Sequence, residues 1–420
     1  MPVMHKYLLM AVRSHAKSVS RSMPGSVLRT IVIFVLFILG SSATVLADVN
    51  VDVFYVARDV EPPLPLSLVD KQVENAGFAG AQLGLNDNQT TGRFLGHKYK
   101  LIDVPVAEEA DIVETLKQSH DKPPSIIVAN LSADDLLNVS DSFPSALVFN
   151  VRAKDDRVRH EDCRVNVLHM PPSRSMLTDA LAQYLSWKRW NKVVIVTGRH
   201  PEDALYAAAL ERASKRFGLK VVERKDWTSV PGARRTDSGH HSAQQEIPTF
   251  TRFKEYDVLL VADEIDEFGE YLSYRASTPR LVAGTQGLTP TAWHRSHEQW
   301  GATQIQRRFE KIADRNMTEH DYSAWLAMRA LGESVSVLNS ADPDKIKEHL
   351  LSDKFKLAGF KGKALTFRKY NGQLRQPVLV VSPRMLITVS PQQGFLHQLT
   401  DLDTLGIDEP ESACKLFSDN

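Results

Sequence analysis

Cysteine is nearly missing from this chain: it has two, Cys163 and Cys414. They leave two arrangements open, one bridge between distant segments or two separate thiols. An excess of one charge is missing as well, because 51 basic and 51 acidic residues cancel. That balance speaks against a nucleic-acid partner and against a polybasic membrane contact. Long hydrophobic runs are confined to one place, residues 31–39 (IVIFVLFIL), and nothing after it approaches the roughly 18 apolar residues of a membrane span. Catalytic signatures are lacking too. There is no Gly-x-Ser-x-Gly elbow, no HExxH zinc helix and no complete phosphate loop. The stretch from Gly92 to Lys98 has the wrong spacing for such a loop, with Tyr99 in place of Ser or Thr, and reads as a turn before a strand. These absences argue for a protein that is not an enzyme and carries no cofactor.

The single apolar run is too short to cross a bilayer as a helix. It follows Lys6, Arg13, Lys17, Arg21 and Arg29 and precedes the small-residue exit Val45-Leu46-Ala47, with no acidic residue before Asp48. This is the polarity of a secretory signal, so residues 1–47 are expected to be a signal peptide cleaved after Ala47. Met23 offers a second possible start with a more compact basic region. Removing the five leader charges from a neutral chain leaves the mature protein at −5, and 373 residues remain, enough for two lobes with separate cores.

Short β-branched runs then alternate with helical stretches, the pattern of parallel strands joined by covering helices. Residues 51–56, 98–104, 125–129 and 146–151 read as strands. Leu68, Val69, Val73, Ala76, Ala79 and Leu83 recur at helical spacing, with Gly77, Gly80 and Gly84 allowing close approach to a sheet. A charged stretch, 152–164, interrupts the series and is read as the first passage between lobes. A second series opens with a strand at 165–169 and a helix behind Ser175 as N-cap. It continues through strands 192–197, 219–223, 257–262 and 280–283, with a helix over 202–217 stopped by Gly218. Helices over 304–313 and 321–338 and short strands at 364–367, 376–381 and 385–389 complete the chain. The expected fold class is α/β, with two Rossmann-like lobes.

The order of these segments resembles the type I periplasmic (Leu/Ile/Val-binding-like) solute-binding proteins over nearly all of residues 49–400. The resemblance is carried by GAQLGLNDNQTTGRFLGHKYKLIDV (80–104), LSWKRWNKVVIVTGRHPEDALYAAALERASKRFGLKVV (185–222), YSAWLAMRALGESV (322–335) and FKGKALTFRKYNGQLRQPVLVV (360–381). DDRVRHEDCRVNVLHMPPSRSMLTDALAQYL (155–185) and DTLGIDEPESACK (403–415) are similar to a narrower branch. That branch comprises substrate-binding components of ABC systems associated with pyrroloquinoline-quinone-dependent alcohol oxidation. Both cysteines fall in these branch-like segments, so the resemblance together with export implies a Cys163–Cys414 disulfide.

The resemblance implies three passages between lobes, with 49–155 and 304–374 in lobe 1 and 156–303 and 375–420 in lobe 2. It also implies a periplasmic monomer that binds a small-molecule ligand in the interlobe cleft and delivers it to an inner-membrane ABC permease. The alternative from another class is a periplasmic α/β enzyme or an accessory factor of a quinoprotein oxidation system. Ligand contacts are expected at strand ends: Ser132, Asn150, Arg152 and Ala153 from lobe 1, and Asp263, Glu264 and Thr285, followed by Gln286, from lobe 2. Where amino-acid-binding relatives carry a small residue and Thr, this chain has Asn150-Val151-Arg152-Ala153, which argues against an α-amino-acid ligand. Arg152 suits a bidentate grip on an anion, with a solvated boundary charge as its plainer reading. Three histidine groups, His294 and His297 with Glu298, His240-His241, and His160 and His169 with Cys163, lack a third ligand placed by spacing and read as surface polar residues rather than a metal site.

Overall fold

The computed structural model describes residues 48–60, 73, 75–228 and 245–414. The leader 1–47, with its expected cleavage point, and the pair His240-His241 lie outside these residues. Among the described residues, no helix is long and apolar enough to cross a membrane.

Two parallel sheets organise the chain. The first has the order β2-β1-β3-β4-β5, with β1 Val49–Asp59, β2 His97–Ala107, β3 Ile126–Asn130, β4 Leu147–Asn150 and β5 Val167–His169. Its inner strands β3 and β4 are buried on both faces along their whole length, as a sheet covered on both sides requires. In β1, Val51, Val53 and Tyr55 enter one core while Phe54 and Val56 enter another. The second sheet has the order β7-β6-β8-β9, with β6 Lys192–Thr197, β7 Lys220–Asp226, β8 Val258–Ala262 and β9 Leu281–Gly284. Val193 and Ile195 face one of its cores and Val194 and Val196 the other. Each sheet therefore builds a lobe with its own interior.

Two small antiparallel sheets finish the lobes. β11 Leu357–Ala358, β12 Ala364–Phe367 and β13 Leu374–Arg375 pair together, and their Leu357, Leu365, Phe367 and Leu374 join the first lobe's core. β10 Thr289–Thr291 pairs with β14 Val378–Ser382, and β14 with β15 Met385–Ser390. Val380 packs into the second lobe's core.

The structure moves the first interlobe passage. The strand expected to open the second lobe is β5 of the first sheet, pairing Val148 with Val167 and Asn150 with His169. The reason is packing: Leu168 and Met170 are fully buried in the first core. The charged stretch before it folds back on the same lobe, with Arg159 buried and donating to the carbonyls of Ala153, Asp155 and Pro171. The chain crosses only after Met170. The next helix, α4 (Arg174–Trp187), is capped by Ser173 rather than Ser175, because the Ser173 hydroxyl accepts from the amide of Met176 at 3.3 Å.

The first helix is also displaced. α1 spans Phe78–Leu95, so Val73 precedes it, Leu68 and Val69 lie outside the described residues, and Gly92 to Leu95 form its last turn rather than a loop. Gly77, at φ 92°, turns the chain into the helix. A Cβ on Gly80 would stand 1.9 Å from the carbonyl oxygen of Asp321, and one on Gly84 2.5 Å from Met328. The close approach is thus to another helix, α8 (Glu319–Leu338), instead of to the sheet. By contrast α5 (Pro201–Arg216) and Gly218 at φ 73° fall where expected.

Candidate functional site

A cavity of about 200 Å³ opens between the lobes at the C-terminal ends of their strands. Lobe 1 contributes Lys154, which follows β4, and Glu319, the first residue of α8. Lobe 2 contributes Tyr206 from α5, Glu264 and Asp266 after β8, Thr285 and Gln286 after β9, and Thr289 to Thr291 on β10. Strand ends and helix starts gather here because a parallel sheet leaves its next backbone donors and turns at that edge.

The charges across the cavity are coupled. Lys154 and Glu319 form an ion pair, and the hydroxyl of Thr291 donates to the other oxygen of Glu319 at 3.0 Å, so this carboxylate joins the two lobes directly. Burial opposes ionising Glu319, yet Lys154, His320 and Thr291 together hold its carboxyl at about 2. Burial likewise works against the Lys154 ammonium, and Glu319 and Glu264 outweigh it, raising its pKa. Burial pulls the His320 imidazole down to about 4 against the attraction of Glu319, and Lys154 and Arg152 add to that fall. At neutral pH the lobe 1 wall therefore presents an ammonium and a carboxylate, and the His320 imidazole next to Glu319 is neutral.

On the facing side Arg174 is buried, donates to Glu264 at 2.6 Å and stands 3.0 Å from Asp155. Burial raises the pKa of Glu264, partly offset by Arg174 and Lys154. Tyr206 is 3% exposed and borders the cavity, and its hydroxyl has no hydrogen-bond partner among the described residues. Burial and the nearby Glu264 and Glu319 push its pKa well up, so it stays a protonated phenol, able to donate and to accept.

The strand-end residues expected to touch ligand divide into two groups. Glu264 and Thr285 border the cavity. Asp263 borders it too, but its carboxylate accepts the amides of Glu267, Phe268 and Gly269 at 2.7–2.9 Å, so it builds the turn after β8. The other group lies on lobe 1. Ser132 caps α3 (Ala133–Ser142), accepting the amide of Asp135. Asn150 is fully buried: its side-chain Oδ1 accepts the backbone amides of Arg152 and Ala153, and its Nδ2 donates to the Ala153 carbonyl. Ala153 is spent in the same turn. Arg152 is exposed, does not border this cavity, and its guanidinium has no hydrogen bond or ion pair among the described residues. Its field reaches Tyr55, Asp135 and His320.

Lys154, Arg174, Tyr206, Thr291 and Glu319 are the site residues that sequence reasoning passed over. Lys154 sat inside the charged stretch read as a hinge, and Tyr206 sat in a helix read for its core face. Glu319 had a usable signal: Thr318 and Asp321 form a capping box, which marks the helix start at the cleft.

No group of three or more His, Cys, Asp or Glu residues that could hold a metal ion occurs among the described residues. His297 is not a surface residue: it is fully buried, and its Nε2 donates to the Phe360 carbonyl at 2.8 Å. Cys163 and Cys414 are bridged, with Cα atoms 5.7 Å apart.

No family model matches the sequence, and no curated protein matches it. Solved structures match the fold. A branched-chain amino acid ABC transporter periplasmic ligand-binding protein from Burkholderia xenovorans is similar at TM-score 0.67 and 13% identity, covering 88% of this chain and 100% of its own. An ABC transporter solute-binding protein from R. palustris, in complex with benzoate, is similar at TM-score 0.63 and 12% identity, covering 87% and 100%. The leucine-, isoleucine-, valine-, threonine- and alanine-binding protein from Brucella ovis, in its closed conformation, reaches TM-score 0.61 at 11% identity, covering 86% and 96%. These neighbours are type I periplasmic binding proteins, and this chain has their fold.

Proposed function

We propose that the chain is the solute-binding component of an ABC transporter, taking a small polar or anionic organic solute into the interlobe cleft and turning nothing over. The observation that carries this reading is the cavity of about 200 Å³ bordered by both lobes. It suits a molecule of roughly metabolite size and offers a phenol, hydroxyls and an ammonium for hydrogen bonding. Arg152, unpartnered among the described residues at the lobe 1 edge, is the guanidinium that an anionic group of the solute would meet as the lobes close.

The mechanism needs no bond making. A solute that touches both walls only when they are close favours the closed state by its differential affinity. About 5.5 kcal/mol of such preference moves a 1:99 mixture to 99:1. The closed form presents a changed surface to an inner-membrane permease. In this reading the leader directs export and is cut after Ala47, the mature monomer works in the periplasm, and the resemblance to the quinone-associated branch supplies its metabolic setting. Mass spectrometry of solute carried through gentle purification, followed by calorimetry with that solute, tests the proposal. One unchanged solute bound per chain supports it. Conversion of the solute by the wild-type protein would instead favour the enzyme alternative.

A further inference from the structure

The end of the chain leaves lobe 2 at β15 and is then held by both lobes at once. On lobe 1, Asp403 accepts from Arg368 at 2.9 Å and from Arg375 at 2.8 Å. Arg368 is 1% exposed and also donates to the Leu405 carbonyl at 2.6 Å. Both arginines belong to the β12–β13 hairpin, whose side chains pack in the first lobe's core.

On lobe 2, the Gly406 amide donates to Asp179 of α4 at 2.8 Å, and its carbonyl accepts from Arg212 of α5 at 2.8 Å. Asp179 is wholly buried. Leu405 shares a buried cluster with Met176, Leu177 and Ala180 of the same helix. Gly406 has φ 82°, and a Cβ there would stand 2.6 Å from the Met176 side chain, so only glycine lets the segment lie this close to α4.

The segment then returns to lobe 1. The Ala413 amide donates to Nδ1 of His160 at 2.8 Å, and Cys414 is bonded to Cys163, which lies just ahead of β5 in the first sheet. The disulfide thus closes a ring that contains the whole second sheet, its ends separated by 251 positions in sequence.

We infer that residues 400–414 form an interlobe strap, and that the Cys163–Cys414 bond limits how far the two lobes rotate relative to one another. Any large rotation must either break the polar contacts of Asp403 and Arg368 or pull Gly406 off α4. The bond to Cys163 removes the remaining option, which is for the free end to slide away from lobe 1. The strap therefore narrows the range of cleft openings that the three passages alone would allow. This holds whatever solute the cleft takes.

The test uses the full mature chain without ligand, carrying spin labels on a ketone-bearing amino acid introduced at Phe94 and Tyr274. These side chains are 82% and 92% exposed on lobes 1 and 2. Pulsed dipolar spectroscopy reads the interlobe distance distribution. In Cys163→Ser/Cys414→Ser the distribution should broaden by about twofold relative to the oxidised chain, the response expected when a hinge loses a tether. Gly406→Ala, which keeps the disulfide but displaces the segment from α4, should broaden it by a smaller factor and carries the test if the serine variant does not fold. Hydrogen exchange of amides 400–414 reports that the segment has been released. Release of those amides with an unchanged distance distribution in either variant would overturn the strap.

Discussion

The two walls of the cleft spend their polar residues differently. On lobe 1, the strand-end residues Ser132, Asn150 and Ala153 are consumed in capping a helix and closing a turn, and the cavity-facing groups come from beyond them, at Lys154 and Glu319. On lobe 2, the groups next to the strands, Glu264 and Thr285, face the cavity themselves. The same α/β edge thus yields turns that consume the strand-end side chains on lobe 1 and a mixed wall on lobe 2. There Asp263 is spent on the turn after β8, while Glu264, held by Arg174, and Thr285, accepting the Asp263 amide, still border the cavity. Position at a strand end makes a residue a candidate; what its neighbouring amides demand decides whether it is free.

This comparison can be broken at several points. The largest effect should come from Arg174→Ala, because it removes the buried cation that the half-buried Glu264 and Asp155 share. A loss of about 3–5 kcal/mol in unfolding free energy is expected from urea titration, as for other broken buried pairs. A loss under about 1 kcal/mol would show that the lobe 2 wall does not depend on this arginine.

Acid should next find Glu319. Its carboxyl is held near 2 against an ordinary 4.5, so its contribution to stability is complete above about pH 4.5 and disappears as pH falls through 2. Glu319→Gln should flatten the dependence of the urea midpoint on pH across that window, and an unaltered slope would mean the Lys154 pair is not formed. Arg152→Ala should change folding stability by less than about 0.5 kcal/mol while weakening solute binding by roughly 1.5–3 kcal/mol. Equal affinity in the variant would remove Arg152 from the site. The smallest effect is expected at Ser132→Ala, where losing an N-cap costs about 1 kcal/mol of stability and calorimetry should find the affinity unchanged.

Much of the fold was legible because it rests on local rules. Strand 364–367 falls where the Asn371-Gly372 turn set it apart from the strand that follows, and α5 ends where Gly218 takes a positive φ. The errors share a cause in tertiary packing. The strand Val167–His169 looked like the start of a new series because a charged stretch precedes it, yet Leu168 and Met170 find their apolar partners in the first core. Gly80 and Gly84 showed that α1 lies close to something, and local sequence could not say that the neighbour is α8. The site was harder for the same reason. Glu264 and Thr285 follow from topology alone, whereas Lys154 meets Glu319 across 165 residues, a pairing that no spacing within either segment announces. The Cys163–Cys414 bridge was foreseen from export and from the branch resemblance of both segments, not from the geometry of either.

The central claim is that the interlobe cavity binds a polar solute through groups of both walls and releases it unchanged. Tyr206 tests it most directly, since this residue borders the cavity and its hydroxyl has no partner among the described residues. Calorimetry of wild type and Tyr206→Phe with the co-purified solute should give a loss of about 0.5–1.5 kcal/mol in binding for one neutral hydrogen bond, and scattering should show compaction of both proteins on saturation. Equal affinity for both proteins, or solute bound with no compaction of the wild type, would contradict the account.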